Sequence, residues 1–334
     1  MGSIEVLPWQ VELKSSHIAV SELLERLGLR VSDLPGEVDP DSPFPLRVTP
    51  HYLSLMRPGN PRDPLLLQVL PRKVENQPVP GFVADPLEEV QAGTSPGMLH
   101  KYSGRVLLIL TQACAIHCRY CFRRNFPYAD HRRSLEAWSE TLDQIARQPD
   151  MTEVILSGGD PLVLPDAALF QILDKVEAIP HVRRLRIHTR FPVVLPSRFT
   201  GTLLDRLSRS RLRVVLVNHA NHPQELDTQS ARVFADLHRA GVTLLNQAVL
   251  LAGINDDLVT LTRLFTTLFD QGVLPYYLHL TDRAAGTAHF HVSRERGLAL
   301  YADLMARLPG YLVPKLAEEI PGRPSKTWWT PDRA

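Results

Sequence analysis

Residues 105–124 read Arg105-Val-Leu-Leu-Ile-Leu-Thr-Gln-Ala-Cys114-Ala-Ile-His-Cys118-Arg-Tyr-Cys121-Phe-Arg-Arg124. An apolar run of strand length, 106–111, passes directly into a loop that carries three cysteines at C-x3-C-x2-C spacing. The chain has 3 cysteines in all. A disulfide scaffold would spread them along the sequence, so their clustering points to metal or redox chemistry in a reducing compartment. Thiolates are soft ligands suited to zinc or to iron-sulfur clusters. Three of them around a four-iron cube leave one iron open to a substrate or cofactor. A structural zinc site completed by His117 is the alternative, although such sites usually take their ligands from two separated pairs.

Outward from this loop, apolar runs recur at 153–157, 184–188, 213–217, 243–250 and 275–280. Between and after them lie stretches of helical period at 135–146, 166–178, 202–208, 224–240, 258–270 and 293–306. Strands that read apolar on both faces predict a parallel sheet covered by helices. Six such units fall short of the eight of a closed barrel, so the expected fold is α/β, a partial (β/α)6 barrel. Its site belongs at the C-terminal ends of the strands. There stand the cysteine loop, Gly158-Gly159-Asp160, Thr189-Arg190, His219 and Asp282. Residues 1–95 are irregular and proline-rich, with helices expected near 21–29 and 50–56, and read as an N-terminal cap. The core is expected over 96–310. A tail, 311–334, carries a further strand-like run and the adjacent Trp328 and Trp329.

The chain has 334 residues, 44% hydrophobic and 22% charged, with a formal charge of +1. That balance is globular and argues against a nucleic-acid binder, which would show a basic excess. No apolar run approaches the roughly 20 residues that span a bilayer, and 1–14 has no leader pattern. The expected location is cytoplasmic. His279, His289 and His291 form a His-rich stretch, but no acidic ligand stands at metal spacing, so they read as structural.

The cysteine loop at the end of a first barrel strand, followed by the Gly158-Gly159-Asp160 turn after the second, resembles the radical S-adenosylmethionine (SAM) superfamily. Within it the chain resembles the lysine 2,3-aminomutase family from about Phe44 to Thr327. The matching motifs are Cys118-Arg-Tyr-Cys121-Phe-Arg-Arg124, Ser157-Gly-Gly-Asp-Pro-Leu162, Asn246-Gln-Ala-Val-Leu-Leu251 with Gly253-Ile-Asn-Asp256, Pro275-Tyr-Tyr277, and Pro321-Gly322 followed by Lys326.

The resemblance implies three cofactors. A [4Fe-4S] cluster would be held by Cys114, Cys118 and Cys121, and SAM would complete it. Gly158, Gly159 and Asp160 would hold the SAM amino group, with Arg190, His219 and Gln247 also on the SAM side and Asn221 close by. Pyridoxal 5′-phosphate (PLP) would be carried by Lys326, its phosphate met by Lys101, Tyr102 and Arg105. Arg123 would pair with the substrate carboxylate, and Asp282 and Glu319 with its side-chain ammonium. Lys101 stands where relatives tend to carry Arg, and Glu319 where Asp is typical. The implied reaction converts L-α-lysine to β-lysine by a 5′-deoxyadenosyl radical acting on a lysine-PLP aldimine, and it needs a reducing electron donor. Larger relatives extend past the PLP lysine with a cysteine-bearing tail. This chain ends eight residues after Lys326, which resembles the short bacterial form that supplies β-lysine for modifying translation elongation factor P. A radical SAM enzyme acting without PLP on another substrate and a non-enzymatic metal-binding module are the competing classes.

Overall fold

A computed structural model describes residues 7–90, 93–95, 97–127 and 135–331. Its centre is a ten-stranded sheet in which the strands lie side by side in chain order. They are β1 (Gly93–Ser95), β2 (Met98–Tyr102), β3 (Arg105–Thr111), β4 (Glu153–Gly158), β5 (Arg184–Thr189), β6 (Arg213–His219), β7 (Thr243–Val249), β8 (Leu274–His279), β9 (Lys315–Glu318) and β10 (Thr327–Trp328). The six strands expected from the apolar runs are β3 to β8, all mutually parallel. The strand-like run of the tail becomes β9, a seventh parallel member beside β8. β1 and β2 continue the sheet in antiparallel sense from β3, and β10 does so from β9. β1 and β10 are the two edges, so the barrel is open.

Helices follow the predicted periodicity. Leu135–Ala146 and Leu258–Asp270 have the expected bounds, and the latter is capped by Asp257, which accepts from the Thr260 amide at 2.9 Å. The helix expected from 224 begins at Thr228, because Pro223–Glu225 forms a separate 3-10 turn and Asp227 supplies the cap. Every residue of β4 is buried, as a strand covered on both faces requires. One apolar cluster runs from Trp9 through the barrel to Leu316. It includes buried residues of the N-terminal helices Val20–Arg26, Pro50–Ser54 and Pro64–Leu67. No helix among the described residues is long and apolar enough to cross a membrane.

Two features of this frame fix the cysteine loop. Below it, Gly158 and Gly159 close against the strand that feeds the loop. The Gly159 amide donates to the Thr111 carbonyl at 2.6 Å, and the Asp160 amide to the Ala113 carbonyl at 2.9 Å. A Cβ on Gly159 would lie 2.3 Å from the Ala113 oxygen, and Gly158 sits at φ 117°. Only glycine fits this approach of backbone to backbone. Above it, the N-terminal segment grips the loop through Glu75. That buried carboxylate takes the guanidinium of Arg119 and, at 2.8 Å, that of Arg124.

Candidate active site

The strands deliver their C-terminal residues to one cavity of about 520 Å³. The residues assigned to a cofactor or substrate by the resemblance line it, from Lys101 to Lys326, except Asn221, which is buried against Gln68 and the Val249 amide. The three cysteines are unpaired thiols, each half-buried. Burial pushes the Cys114 and Cys121 thiols upward, the latter to about 11, and the neighbouring sulfurs add to it. Thiols in such a setting lose their protons only to a strongly positive partner, which is what an iron-sulfur cluster or a metal ion supplies.

The zinc alternative does not fit. His117 Nδ1 bonds the Pro45 carbonyl at 2.8 Å and its ring stacks on Phe44 at 4.5 Å. Among the described residues no three His, Cys, Asp or Glu side chains are arranged to hold a single ion. The three thiols lining one hollow suit a multi-iron cube, whose ligands stand further apart than those of one ion.

On the thiol side of the cavity, Arg190 Nη1 donates to Cys118 Sγ at 2.8 Å. Its Nη2 donates to Glu225 Oε2 at 2.8 Å and Gln68 Oε1 at 2.8 Å. His219 Nε2 meets the Tyr120 hydroxyl at 2.8 Å and Asn221 Nδ2 at 3.3 Å, and burial holds its imidazole neutral, well below the usual range. Asp160 is wholly engaged by protein. It accepts from the amides of Leu162 at 3.0 Å and Arg190 at 2.8 Å and from the Thr189 hydroxyl, while burial raises its carboxyl to about 6.

The Lys326 side holds a chain of alternating charges. Lys326 Nζ donates to Glu319 Oε2 at 2.5 Å, and Lys101 Nζ to Glu319 Oε1 at 2.8 Å. Lys101 also lies 3.2 Å from Glu89 Oε1. Arg123 clamps Glu89 with Nε at 2.6 Å and Nη2 at 2.8 Å, and its Nη1 reaches Ser157 Oγ at 3.2 Å. Burial works against the Glu319 charge, but Lys326 and Lys101 outweigh it and hold its carboxyl well below the ordinary range. Asp282 has the opposite balance: burial prevails and raises it to about 7. Tyr102 carries the Arg105 guanidinium over its ring at 4.7 Å. Lys315 Nζ sits 3.7 Å over the exposed Trp328 ring at the cavity wall, whereas Trp329 packs on the core and donates to Glu318.

Sequence reasoning missed Glu89, Glu225 and Gln68. Each is a buried polar residue that orients a cation of the cavity, and none stands in a motif. Of the discounted histidines, His279 lines the cavity, held neutral by burial at about 3, while His291 bonds Thr281 at 3.1 Å.

An open parallel barrel with a three-cysteine loop after its first parallel strand and a glycine turn after the next is the arrangement of radical SAM proteins, and the Radical SAM superfamily model matches residues 108–264. The chain is 50% identical over 284 residues to the L-lysine 2,3-aminomutase of Escherichia coli K12, covering 85% of this chain and 83% of that one. It is 44% identical to that of Haemophilus influenzae, over 96% and 94% of the two chains. It is 35% identical to that of Clostridium subterminale, over 96% and 77%. The chain belongs to the lysine 2,3-aminomutase family of radical SAM enzymes, isomerases whose cofactors are a [4Fe-4S] cluster, SAM and PLP.

Proposed function

We propose that this chain converts L-α-lysine to β-lysine, with Cys114, Cys118 and Cys121 as cluster ligands and Lys326 as the amine that takes the pyridoxal aldehyde. The observation that carries the reading is that three thiols and the Lys326 ammonium line one cavity among charges of both signs. When bound, the cluster with SAM supplies a carbon-centred radical and PLP supplies an electron sink for nitrogen migration.

The residues have separable tasks. Lys101, Tyr102 and Arg105 meet the phosphate. Arg123, whose guanidinium plane is set by Glu89, is placed to pair with the substrate carboxylate. Asp282 and Glu319 face the distal ammonium. Gly158, Gly159 and Asp160 shape the SAM pocket beside the cysteine loop, with Arg190, His219 and Gln247 completing its wall. In the resting site Glu319 pairs with Lys326, and its nitrogen reaches the aldehyde only when that contact is released. The substrate is free lysine, and a reducing electron donor feeds the cluster.

The test is anaerobic purification followed by iron, acid-labile sulfide and PLP analysis, and by assay of β-lysine formation. A cluster without PLP would favour a different radical SAM reaction, and zinc without sulfide a metal-binding module. Borohydride should fix PLP on Lys326. Label on another lysine would overturn the assignment.

We further propose a cytoplasmic role in supplying β-lysine to elongation factor P, supported by similarity to the short bacterial relatives. Mass spectrometry of elongation factor P from cells lacking this chain should then reveal loss of the β-lysyl group. We divide the chain into a cap, 1–95, a barrel core, 96–310, and a PLP-lysine segment, 311–334.

A further inference from the structure

We infer that Arg190 sets the electron affinity of the iron-sulfur cluster through a charged hydrogen bond to the sulfur of Cys118. The inference rests on the reading of Cys118 as a cluster ligand.

The geometry is specific. Arg190 is buried, and its Nη2 is pinned by three acceptors, Glu225 Oε2 at 2.8 Å, Gln68 Oε1 at 2.8 Å and the Tyr52 hydroxyl at 3.1 Å. Its own backbone amide is tied to Asp160 at 2.8 Å. A planar guanidinium held at one end has little freedom at the other, and Nη1 points at Cys118 Sγ, 2.8 Å away. Glu225 is itself fixed, since its Oε1 accepts from the amides of Asn221 at 2.9 Å and His222 at 3.0 Å. These contacts engage both terminal nitrogens of Arg190 with protein and sulfur, while its buried Nε has no hydrogen-bond partner among the described residues, and the fixed Nη1 makes Arg190 a positioning and tuning group for Cys118.

The three sulfurs are thereby unequal. Cys121 takes a backbone N–H from Arg123 and feels the Arg123 and Arg124 charges from further off, whereas Cys118 takes its hydrogen bond directly from a guanidinium. One-electron reduction adds negative charge that spreads over the cluster sulfurs. A buried cationic donor stabilises the reduced form more than the oxidised one and so raises the potential. Low polarity around Arg190 strengthens the effect. For an enzyme that must put an electron on its cluster before any chemistry, this eases the demand on the reductant.

Replacing Arg190 alone would strand the Glu225 carboxylate, so the comparison belongs in a Glu225→Gln background. EPR-monitored redox titration of Glu225→Gln beside Glu225→Gln/Arg190→Met, both loaded with cluster, should reveal a lower potential in the double variant. The expected fall in the reduced-to-oxidised ratio at fixed poise is about tenfold, ~59 mV for one electron. Equal potentials with full iron and sulfide would overturn the inference. Pulsed EPR of otherwise wild-type protein grown on 15N-arginine needs no destabilising variant. A guanidinium nitrogen coupled to the reduced cluster, and lost in Arg190→Lys, is expected, whereas no coupling in the wild type would sink the idea. Iron and sulfide in Cys118→Ala tell the two readings apart: a full, stable cluster there removes Cys118 as a ligand, and the inference falls for that reason alone.

Discussion

Lys101 Nζ stands 2.8 Å from Glu319 Oε1, joining β2 to the segment after β9 across the cavity. By the resemblance, Lys101 stands where Arg is typical and Glu319 where Asp is typical, and the two residues touch. Through this contact the cations Lys326, Lys101 and Arg123 are interleaved with the carboxylates Glu319 and Glu89. Buried charges that share partners respond together, and removing one leaves its neighbour uncompensated.

Reverting either departure alone should therefore harm more than reverting both. Lys101→Arg and Glu319→Asp should each weaken PLP binding. The double variant should recover part of the loss, with a coupling of about 0.5–3 kcal/mol. A double-mutant cycle on PLP dissociation constants measures it. Strict additivity would mean the two positions vary independently.

Each of Cys114→Ala, Cys118→Ala and Cys121→Ala should lose the cluster and with it SAM cleavage, because in the proposed site each thiolate holds a different iron. Iron and sulfide content after anaerobic reconstitution decides the matter. A variant with full iron and activity removes that cysteine from the site.

The loop that carries these cysteines depends on packing that can be tested without cofactors. Gly159→Ala drives a methyl into the Ala113 carbonyl, 2.3 Å from the ideal Cβ. Overpacking of this kind costs about 1–3 kcal/mol. Glu75→Ala strands Arg119, which is fully buried, at about 3–5 kcal/mol. Both should lower Tm and reduce cluster uptake. An unchanged Tm in Gly159→Ala would mean the turn yields more easily than its contacts imply.

The barrel was legible because each of β3 to β8 is an apolar run bounded by helical periods, and its site because motif residues fall just after those runs. β9 was harder to read. Only Leu316 and Ala317 are buried in its four residues, and Lys315 and Glu318 flank them. Glu89 and Gln68 gave no signal at all. An isolated acid or amide in a proline-rich stretch reads as surface, and its burial is decided by Arg123, Lys101 and Arg190 arriving from distant strands. The choice between zinc and a cluster turned on where His117 points, which spacing does not encode.

Asp282 should make substrate recognition depend on pH. Burial raises its carboxyl to about 7, so it is largely protonated below that value and charged above it. KM for lysine should fall as pH rises through about 7, while KM for neutral norleucine should not follow. Linkage gives a second sign: the native state keeps this proton longer than the unfolded chain. Asp282 therefore lowers stability as pH rises from the ordinary carboxylate range, about 4, to about 7. Asp282→Asn should flatten both profiles. Persistence of the KM trend in that variant would assign it to another group.

Asp282 and Glu319 should also differ in kind. Both line the cavity and are proposed to meet the substrate ammonium, but of the two only Glu319 holds Lys326 and Lys101. A hydrogen bond to a charged group is worth about 1.5–3 kcal/mol. Asp282→Asn should therefore cut kcat/KM for lysine by roughly ten- to a hundredfold and leave norleucine nearly untouched. Glu319→Gln removes the same kind of bond from lysine, and it also releases Lys326 and Lys101, the two cations proposed to receive the cofactor. It should impair both substrates and alter PLP retention, read from absorbance after gel filtration. The discriminating measurement is kcat/KM for the two amino acids in each variant. If Asp282→Asn reduced lysine and norleucine equally, the carboxylate would be a structural group, and selection of a cationic substrate would have to come from elsewhere in the cavity.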